Sequence, residues 1–168
     1  MKLRKLKEKD VDGMYEWMHY AETKEIFEKD FSKYAKDDIL NFIKSNDKTS
    51  INLACVDDND NYLGTVSLKN IDYNNLNAEL AISFIKEAQG TGAASFAMGE
   101  ILKKGFKELN LKKIYLNVLK TNLRAIKFYN KFGFKKEGCF KKHIRKKDRY
   151  IDLEWYSIID DDYNTRGV

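Results

Sequence analysis

Residues 84–109 form the stretch that most constrains what this chain can fold into. Over residues 80–84, apolar residues alternate with other types, which is the two-residue period of a strand. Over residues 93–106, apolar residues recur at three- and four-residue spacing, which predicts a helix. Gly90 and Gly92 lie between the two patterns. The stretch therefore predicts a strand, a tight glycine turn and a helix.

A turn of this kind leaves backbone N–H groups at the positive end of a helix dipole. Small residues let a phosphate approach those groups closely. The candidate residues of this phosphate-binding corner are Gln89, Gly90, Thr91, Gly92, Ala93, Ala94 and Ser95. Two common phosphate motifs do not fit. A P-loop needs Lys followed by Ser or Thr after its second glycine, and a dinucleotide fingerprint needs Gly or Ala where Ser95 stands.

Two motifs of the chain resemble those of the GNAT N-acetyltransferases. The corner is similar to the signature Gln/Arg-x-x-Gly-x-Gly/Ala, which in that family holds the pyrophosphate of acetyl-CoA. Residues 122–134 resemble the motif Asn-x-x-Ala-x-x-x-Tyr-x-x-x-Gly-Phe, and every fixed position matches. The resemblance covers roughly residues 2–158 and implies that acetyl-CoA is the acyl donor.

The order of the predicted elements is one strand, two or three helices, three strands, a helix, a strand, a helix and two strands. This order indicates an α+β fold. The resemblance implies one GNAT-like domain over residues 1–168, with a mixed sheet of about seven strands and helices on both faces. Residues 160–168 are acidic and then small and polar, and we expect this tail to fray.

The second motif supplies two candidate site residues, Asn122 and Tyr129. They are seven residues apart, which is two helical turns and places both on one helix face. The resemblance implies that Tyr129 protonates the leaving thiolate as a general acid and that Asn122 contacts the coenzyme. The alternative for Tyr129 is a core aromatic residue whose hydroxyl is satisfied at the edge of the core.

An acceptor amine is almost entirely protonated at neutral pH, so its attack on a thioester needs a base. Glu79, in the strand before the corner, is the candidate base, and related enzymes often carry Glu here. The alternative is an exposed charge on a strand. His19 and His143 are weaker candidates: His19 follows an amphipathic helix and could face the substrate, whereas His143 is expected at the surface.

In the family, the strand before the corner separates from its neighbour, and the pantetheine arm pairs with the exposed backbone like another strand. By position this places Ile82, Ser83 and Phe84 along the arm, where a backbone N–H polarises the acetyl carbonyl. Lys127 and Lys131 are one turn apart and could reach coenzyme phosphates, although a solvated surface role is favoured for both.

The net charge of +5 comes from spread basic residues, with a denser patch over residues 135–147. Most of these lysines fit a solvated surface, and the alternative is attraction of an anion. The acceptor is predicted to be a small amine, either a nucleotide-linked aminosugar, which is favoured, or a polyamine. The alternatives are a protein N-terminus, as in ribosomal-protein acetyltransferases, and a non-catalytic module that binds acyl-CoA or nucleic acid.

No apolar run approaches the ~20 residues of a membrane span, and the N-terminus lacks the apolar segment of a signal peptide. Two cysteines, Cys55 and Cys139, give no disulfide framework. We therefore expect a cytoplasmic protein without a membrane or metal partner, in which nucleic-acid binding is disfavoured. A monomer and a homodimer both remain open.

Overall fold

A seven-stranded mixed sheet runs through the computed structural model, which describes residues 1–45 and 47–165. The strands are β1 (Lys2–Lys5), β2 (Ile51–Val56), β3 (Tyr62–Asp72), β4 (Asn77–Phe84), β5 (Lys113–Leu119), β6 (Lys135–Lys146) and β7 (Arg149–Ile159). Their order across the sheet is β1-β2-β3-β4-β5-β7-β6. β4 and β5 pair in parallel, and the other neighbouring strands pair antiparallel. The predicted α+β class and the seven strands are confirmed.

Six α-helices accompany the sheet in the described part of the chain. They are α1 (Val11–Met18), α2 (Thr23–Ile26), α3 (Lys36–Lys44), α4 (Ala93–Lys103), α5 (Leu123–Lys131) and α6 (Asp160–Thr165). A π-helical turn, Lys104–Glu108, extends α4, and 3₁₀ turns lie at Glu8–Asp10, Phe31–Lys33 and Lys86–Ala88.

The sheet is covered on both faces, as the resemblance implied. One core packs α4 against the central strands, with Met98 and Ile101 against Leu80 and Ile114. Alternation along β4 sends Ala78 and Leu80 into this core and turns Glu79 to the opposite face. On that opposite face a second, smaller cluster contains Met14, Trp17, Met18 and Ile39 from α1 and α3. The face that carries Glu79 therefore lies under the first helices of the chain.

The prediction of a frayed tail from residue 160 is wrong for residues 160–165, which form α6. Tyr163 is 4% exposed and stacks on Phe106 with ring centroids 4.8 Å apart. Two surface ion pairs, Lys112–Asp160 and Lys135–Asp162, lie at the same helix. Burial of the Tyr163 ring holds α6 against the core. The acidic composition of the segment had suggested an exposed tail instead. Residues 166–168 lie outside the described residues.

Candidate functional site

The sheet opens between β4 and β5. The two strands pair only over Asn77–Lys113, Ala78–Ile114 and Glu79–Tyr115. Beyond Glu79, β4 stays paired with β3 as far as Phe84, while β5 stays paired with β7 as far as Leu119. Among the described residues, the facing edges of β4 and β5 therefore have no strand partner over the second half of each strand. Their backbone groups are open to an extended ligand.

A cavity of about 450 Å³ lies at this opening and continues beneath α1 and α3. Five of the predicted site residues line it: Glu79, Ile82, Ser83, Asn122 and Tyr129. The corner residues 89–95, Phe84 and Lys127 are not part of this lining. The structure thus brings the predicted acid, the predicted base and the β4 edge around one space, and the corner lies outside it.

Tyr129 is one of the residues that line the cavity. Its ring is half-buried and packs against Phe128 and Phe134, with centroids 5.9 Å away in each case. Within residues 1–45 and 47–165 the hydroxyl makes no hydrogen bond. Burial raises the pKa of Tyr129 to about 12, so the phenol keeps its proton at neutral pH. It can therefore donate a proton or a hydrogen bond to a ligand in the cavity.

Asn122 lies on the same cavity but is already engaged within the protein. Its Oδ1 accepts from the N–H of Ala125 at 3.2 Å, which caps the start of α5. Its Nδ2 donates to the carbonyl of Ile26 at 3.3 Å. These bonds give the side chain a structural role, because it caps α5 and joins that helix to the last residue of α2.

Glu79 is 8% exposed, so the alternative of an exposed strand charge is wrong. Its Oε2 accepts from Asn70 Nδ2 at 2.9 Å, and its Oε1 accepts from Asn117 Nδ2 at 3.2 Å. Lys69 Nζ lies 2.8 Å from the same Oε1. Glu79 is also the last residue of β4 that pairs with β5. The carboxylate therefore lies at the point where the strands separate, held by three donors from two strands, Lys69 and Asn70 of β3 and Asn117 of β5.

The glycine corner has the predicted strand–turn–helix form. Gly90 and Gly92 have φ values of 80° and 89°, in the left-handed region that favours glycine. Among the described residues, the amides of Gly90, Gly92, Ala94 and Ser95 donate no hydrogen bond. These free amides surround the start of α4, where an anion is favoured.

Two corner residues are used inside the protein rather than toward a ligand. Ala93 is fully buried, and its amide donates to Thr91 Oγ1 at 3.3 Å. The Thr91 amide in turn donates to the carbonyl of Ala88 at 3.4 Å. Ala93 is small enough to bring α4 close to the sheet, and Thr91 fixes the turn that exposes its neighbours. Neither amide is therefore free to donate to the predicted ligand.

The sequence reasoning missed Arg124. Its guanidinium Nη1 donates to Gln89 Oε1 at 2.7 Å, and both residues are exposed. A permanent positive charge therefore stands beside the free amides of the corner. The signal that could have found it was its position as the third residue of the second motif, in the first turn of α5.

The remaining candidates lie away from the cavity. Phe84 packs its ring over Gly64 of β3. Lys127 is exposed on α5. His19 is exposed, stacks on Tyr15 and does not line the cavity, so the idea that it faces the substrate is wrong. His143 is exposed, as predicted.

The far end of the cavity is aromatic and acidic. Trp17, Phe27 and Phe31 form a cluster of tilted and edge-on ring contacts with centroids 5.1 to 5.6 Å apart. Glu28 and Asp38, which carry carboxylates, belong to the residues that line the same space, as does Lys29. Aromatic faces and carboxylates are groups that attract organic cations.

The described residues contain neither a cluster of metal ligands nor a helix that could cross a membrane. No group of three or more His, Cys, Asp or Glu side chains in residues 1–45 and 47–165 is placed to hold a metal ion. None of the helices formed by these residues has the length and apolar character needed to cross a membrane.

The opened strand pair, the glycine corner and the cavity-facing tyrosine define a protein with the fold that the two motifs implied. A model of the acetyltransferase (GNAT) domain matches residues 3–155. The chain therefore belongs to the GNAT acetyltransferase family.

Among curated relatives, the spermidine N(1)-acetyltransferase of Vibrio cholerae is 35% identical over 107 residues, 64% of this chain and 62% of that protein. An uncharacterized N-acetyltransferase, p20 of Bacillus licheniformis, is 32% identical over 108 residues, 64% of this chain and 61% of that protein. The chain thus matches about three fifths of the length of these relatives.

Among solved structures, spermidine N-acetyltransferase from Vibrio cholerae in complex with CoA and spermine superposes with a TM-score of 0.89. The two proteins are 26% identical, and the match covers 97% of each chain.

Proposed function

We propose that this chain is an acetyl-CoA-dependent N-acetyltransferase whose acceptor is a polyamine, acetylated by direct attack within a ternary complex. One observation carries the proposal. Tyr129, whose hydroxyl makes no hydrogen bond within the described residues, lines a cavity between the separated strands β4 and β5, and the buried Glu79 lines the same cavity. A proton donor and a proton acceptor thus flank a space that is open to an extended ligand.

The donor end fits coenzyme A in three respects. The free edge of β4 after Glu79 offers backbone groups to an amide-containing arm. The amides of Gly90, Gly92, Ala94 and Ser95 suit a diphosphate, and Arg124 adds a fixed positive charge. Acetyl-CoA would supply an electrophilic thioester and a thiolate as leaving group.

The chemistry assigned to the chain's own residues is proton transfer. An alkyl ammonium has a pKa of about 10.4, so only about one molecule in a thousand is neutral at pH 7. Glu79 is proposed to take the ammonium proton, directly or through water, since it lies at the strand divergence and lines the cavity. Tyr129, with a pKa raised by burial to about 12, is proposed to protonate the leaving thiolate.

A polyamine is supported over the aminosugar favoured from the sequence because much of the basic patch is already paired. Lys135 contacts Asp162, and Lys136 contacts Glu154. Lys146 Nζ donates to the carbonyl of Phe27 at 2.7 Å, and Arg145 donates to a nearby carbonyl at 3.1 Å. The phosphates of a nucleotide sugar would have to displace these carboxylates and carbonyls in order to bind there. The relatives named for spermidine acetylation support the same choice.

The test is a thiol-release assay with acetyl-CoA and a panel of acceptors: spermidine, a nucleotide-linked aminosugar and a peptide with a free N-terminus. We expect release with spermidine above the other two, and acetylated spermidine in the mass spectrum of the product. Thiol release with only the aminosugar, or with only the peptide, would contradict the polyamine and identify that compound's class as the acceptor. Coenzyme binding without release from any acceptor would favour a non-catalytic acyl-CoA-binding module.

A cytoplasmic location is part of the proposal and is supported by Cys55 and Cys139, which are both free thiols. A monomeric or homodimeric enzyme is proposed as well. Neither bears on the chemistry above, because every residue invoked comes from one chain.

A further inference from the structure

Lys69 stands directly across from Glu79 on the neighbouring strand. The two residues are register partners in the β3–β4 ladder, and both line the cavity. Lys69 Nζ lies 2.8 Å from Glu79 Oε1. The lysine side chain is 37% exposed, whereas that of the glutamate is 10% exposed. The lysine can therefore leave toward solvent, and the carboxylate cannot.

The lysine ammonium has the same chemistry as the ammonium of an acceptor amine. Each is a primary alkyl ammonium with three N–H donors and no acceptor. Glu79 already receives Asn70 on Oε2 and Asn117 on Oε1. Oε1 therefore receives both Asn117 and Lys69 Nζ, whereas Oε2 receives Asn70 alone. An acceptor that brings its ammonium to Glu79 either takes the place of Lys69 on Oε1 or binds beside a second ammonium on the same carboxylate, where the like charges repel.

We infer that Lys69 is an internal competitor of the acceptor amine, a counter-ion that the substrate displaces from Glu79. This inference rests on the proposed function, since it takes Glu79 as the group that receives the acceptor. In the resting protein the pair keeps a buried carboxylate compensated, which avoids the cost of an unpaired charge. The same pair weakens acceptor binding, because the lysine must be moved and then stays nearby as a like charge.

The kinetic test compares Lys69→Gln with Lys69→Arg. The glutamine keeps a polar side chain without the charge, and the arginine keeps the charge. Lys112→Gln is the matched control, since Lys112 forms an ion pair with Asp160 on a partly exposed surface outside the site. In K69Q we expect the KM for spermidine to fall about fivefold. This factor corresponds to the free energy of a partly exposed ion pair, which the substrate no longer has to break. The KM for acetyl-CoA is expected to stay within about twofold of the wild-type value.

K69R and K112Q are expected to show no fall in the KM for spermidine. An unchanged or raised KM for spermidine in K69Q, with K112Q at the wild-type value, would overturn the inference. A wild-type protein that releases no thiol with any amine would instead contradict the proposed function, and the next measurement still tests the inference.

The second measurement does not depend on K69Q, so it remains informative even if that variant fails to fold. The lysines are converted to ¹³C-dimethyl-lysines, and the Lys69 signal is assigned by its absence in Lys69→Arg. Spermidine is then added to the complex with coenzyme A, in which no turnover occurs. We expect the Lys69 methyl signal to move to the position of exposed lysines while the Lys112 signal stays in place. Saturation with spermidine that leaves the Lys69 signal unmoved would overturn the inference.

Discussion

Arg124 Nη1 lies 2.7 Å from Gln89 Oε1, and this hydrogen bond joins the two motifs that the sequence carries separately. It connects the start of α5 to the glycine corner before α4. The bond holds a guanidinium beside the free amides of Gly90 and Gly92. The two motifs thus contribute to one surface, with free amides from one element and a positive charge from the other, and both features favour an anion.

Arg124→Gln is expected to raise the Kd for coenzyme A about tenfold, because a charge-assisted contact to phosphate is lost. The turnover number with saturating acetyl-CoA is expected to change by less than about twofold, since Arg124 does not line the cavity. Isothermal titration of coenzyme A measures the first effect. Arg145→Gln is the matched control at an exposed arginine that bonds only a neighbouring carbonyl. Equal Kd values for the Arg124 variant and the wild type would remove Arg124 from the coenzyme site.

Tyr129→Phe is expected to lower kcat about a hundredfold or more, the usual effect of removing a general acid. The Kd for coenzyme A is expected to stay near the wild-type value, because the hydroxyl has no hydrogen bond in the described chain and its loss removes no structural contact. Single-turnover thiol release and coenzyme titration separate the two effects. Wild-type kcat in this variant would assign proton donation to another group.

The same tyrosine makes stability depend on alkaline pH. Burial raises the pKa of Tyr129 to about 12, against about 10 in an unfolded chain. Between these values the unfolded chain has lost the proton and the folded chain has kept it. The stabilising effect is therefore complete below pH ~10 and declines as pH rises toward ~12.

Tyr129→Phe removes the part of the decline in stability at alkaline pH that comes from Tyr129. Relative to the wild type, the variant is expected to gain about 1 kcal/mol in free energy of unfolding between pH 8 and pH 11. Urea unfolding at the two pH values measures it. Tyr150→Phe, at a tyrosine that is 59% exposed, serves as the control. A parallel fall in wild type and Tyr129→Phe would contradict the link to this phenol.

Gly92→Ala tests the conformation of the corner. A Cβ at Gly92 would meet no atom within 4 Å, so the cost comes only from its φ of 89°. That conformation costs a residue with a side chain about 1–2 kcal/mol, and relaxation of the turn would also displace the free amides. We expect a loss of stability of this size and weaker coenzyme binding.

Gly99→Ala is the matched control, because Gly99 lies inside α4 and has equally open space around it. It is expected to stabilise the chain by about 0.5–1 kcal/mol, since alanine favours a helix. Both values come from thermal or urea unfolding. Two alanine variants of equal stability would argue that the corner relaxes without strain.

The sequence allowed the local parts of the site to be predicted. Helical spacing alone placed Asn122 and Tyr129 on one face, and both line one cavity. The tight glycine turn before α4 was also predicted from local pattern, and in the structure Gly90 and Gly92 have positive φ there. The opening of the sheet at Glu79 was available only through the family resemblance, because strand pairing joins residues far apart in sequence.

What the sequence could not supply was register. Glu79 meets Lys69 across a strand ladder and Asn117 across the opening between β4 and β5. A shift of one residue would turn each of these side chains to the other face. The predicted base was therefore placed correctly on its strand, while its burial and its partners appeared only in the structure.

A substitution in α6 tests whether this helix, which the sequence predicted to be a frayed tail, contributes to stability. Tyr163 on α6 is 4% exposed and stacks on Phe106. Tyr163→Ala is expected to lower the free energy of unfolding by about 3 kcal/mol, the usual cost of removing a buried aromatic ring. Tyr73→Ala, at a tyrosine that is 55% exposed, is the control and is expected to change it by less than about 1 kcal/mol. Urea unfolding measures both. If Tyr163→Ala matched its control, α6 would contribute nothing to the core, because an undocked helix exposes the ring in the folded and unfolded states alike.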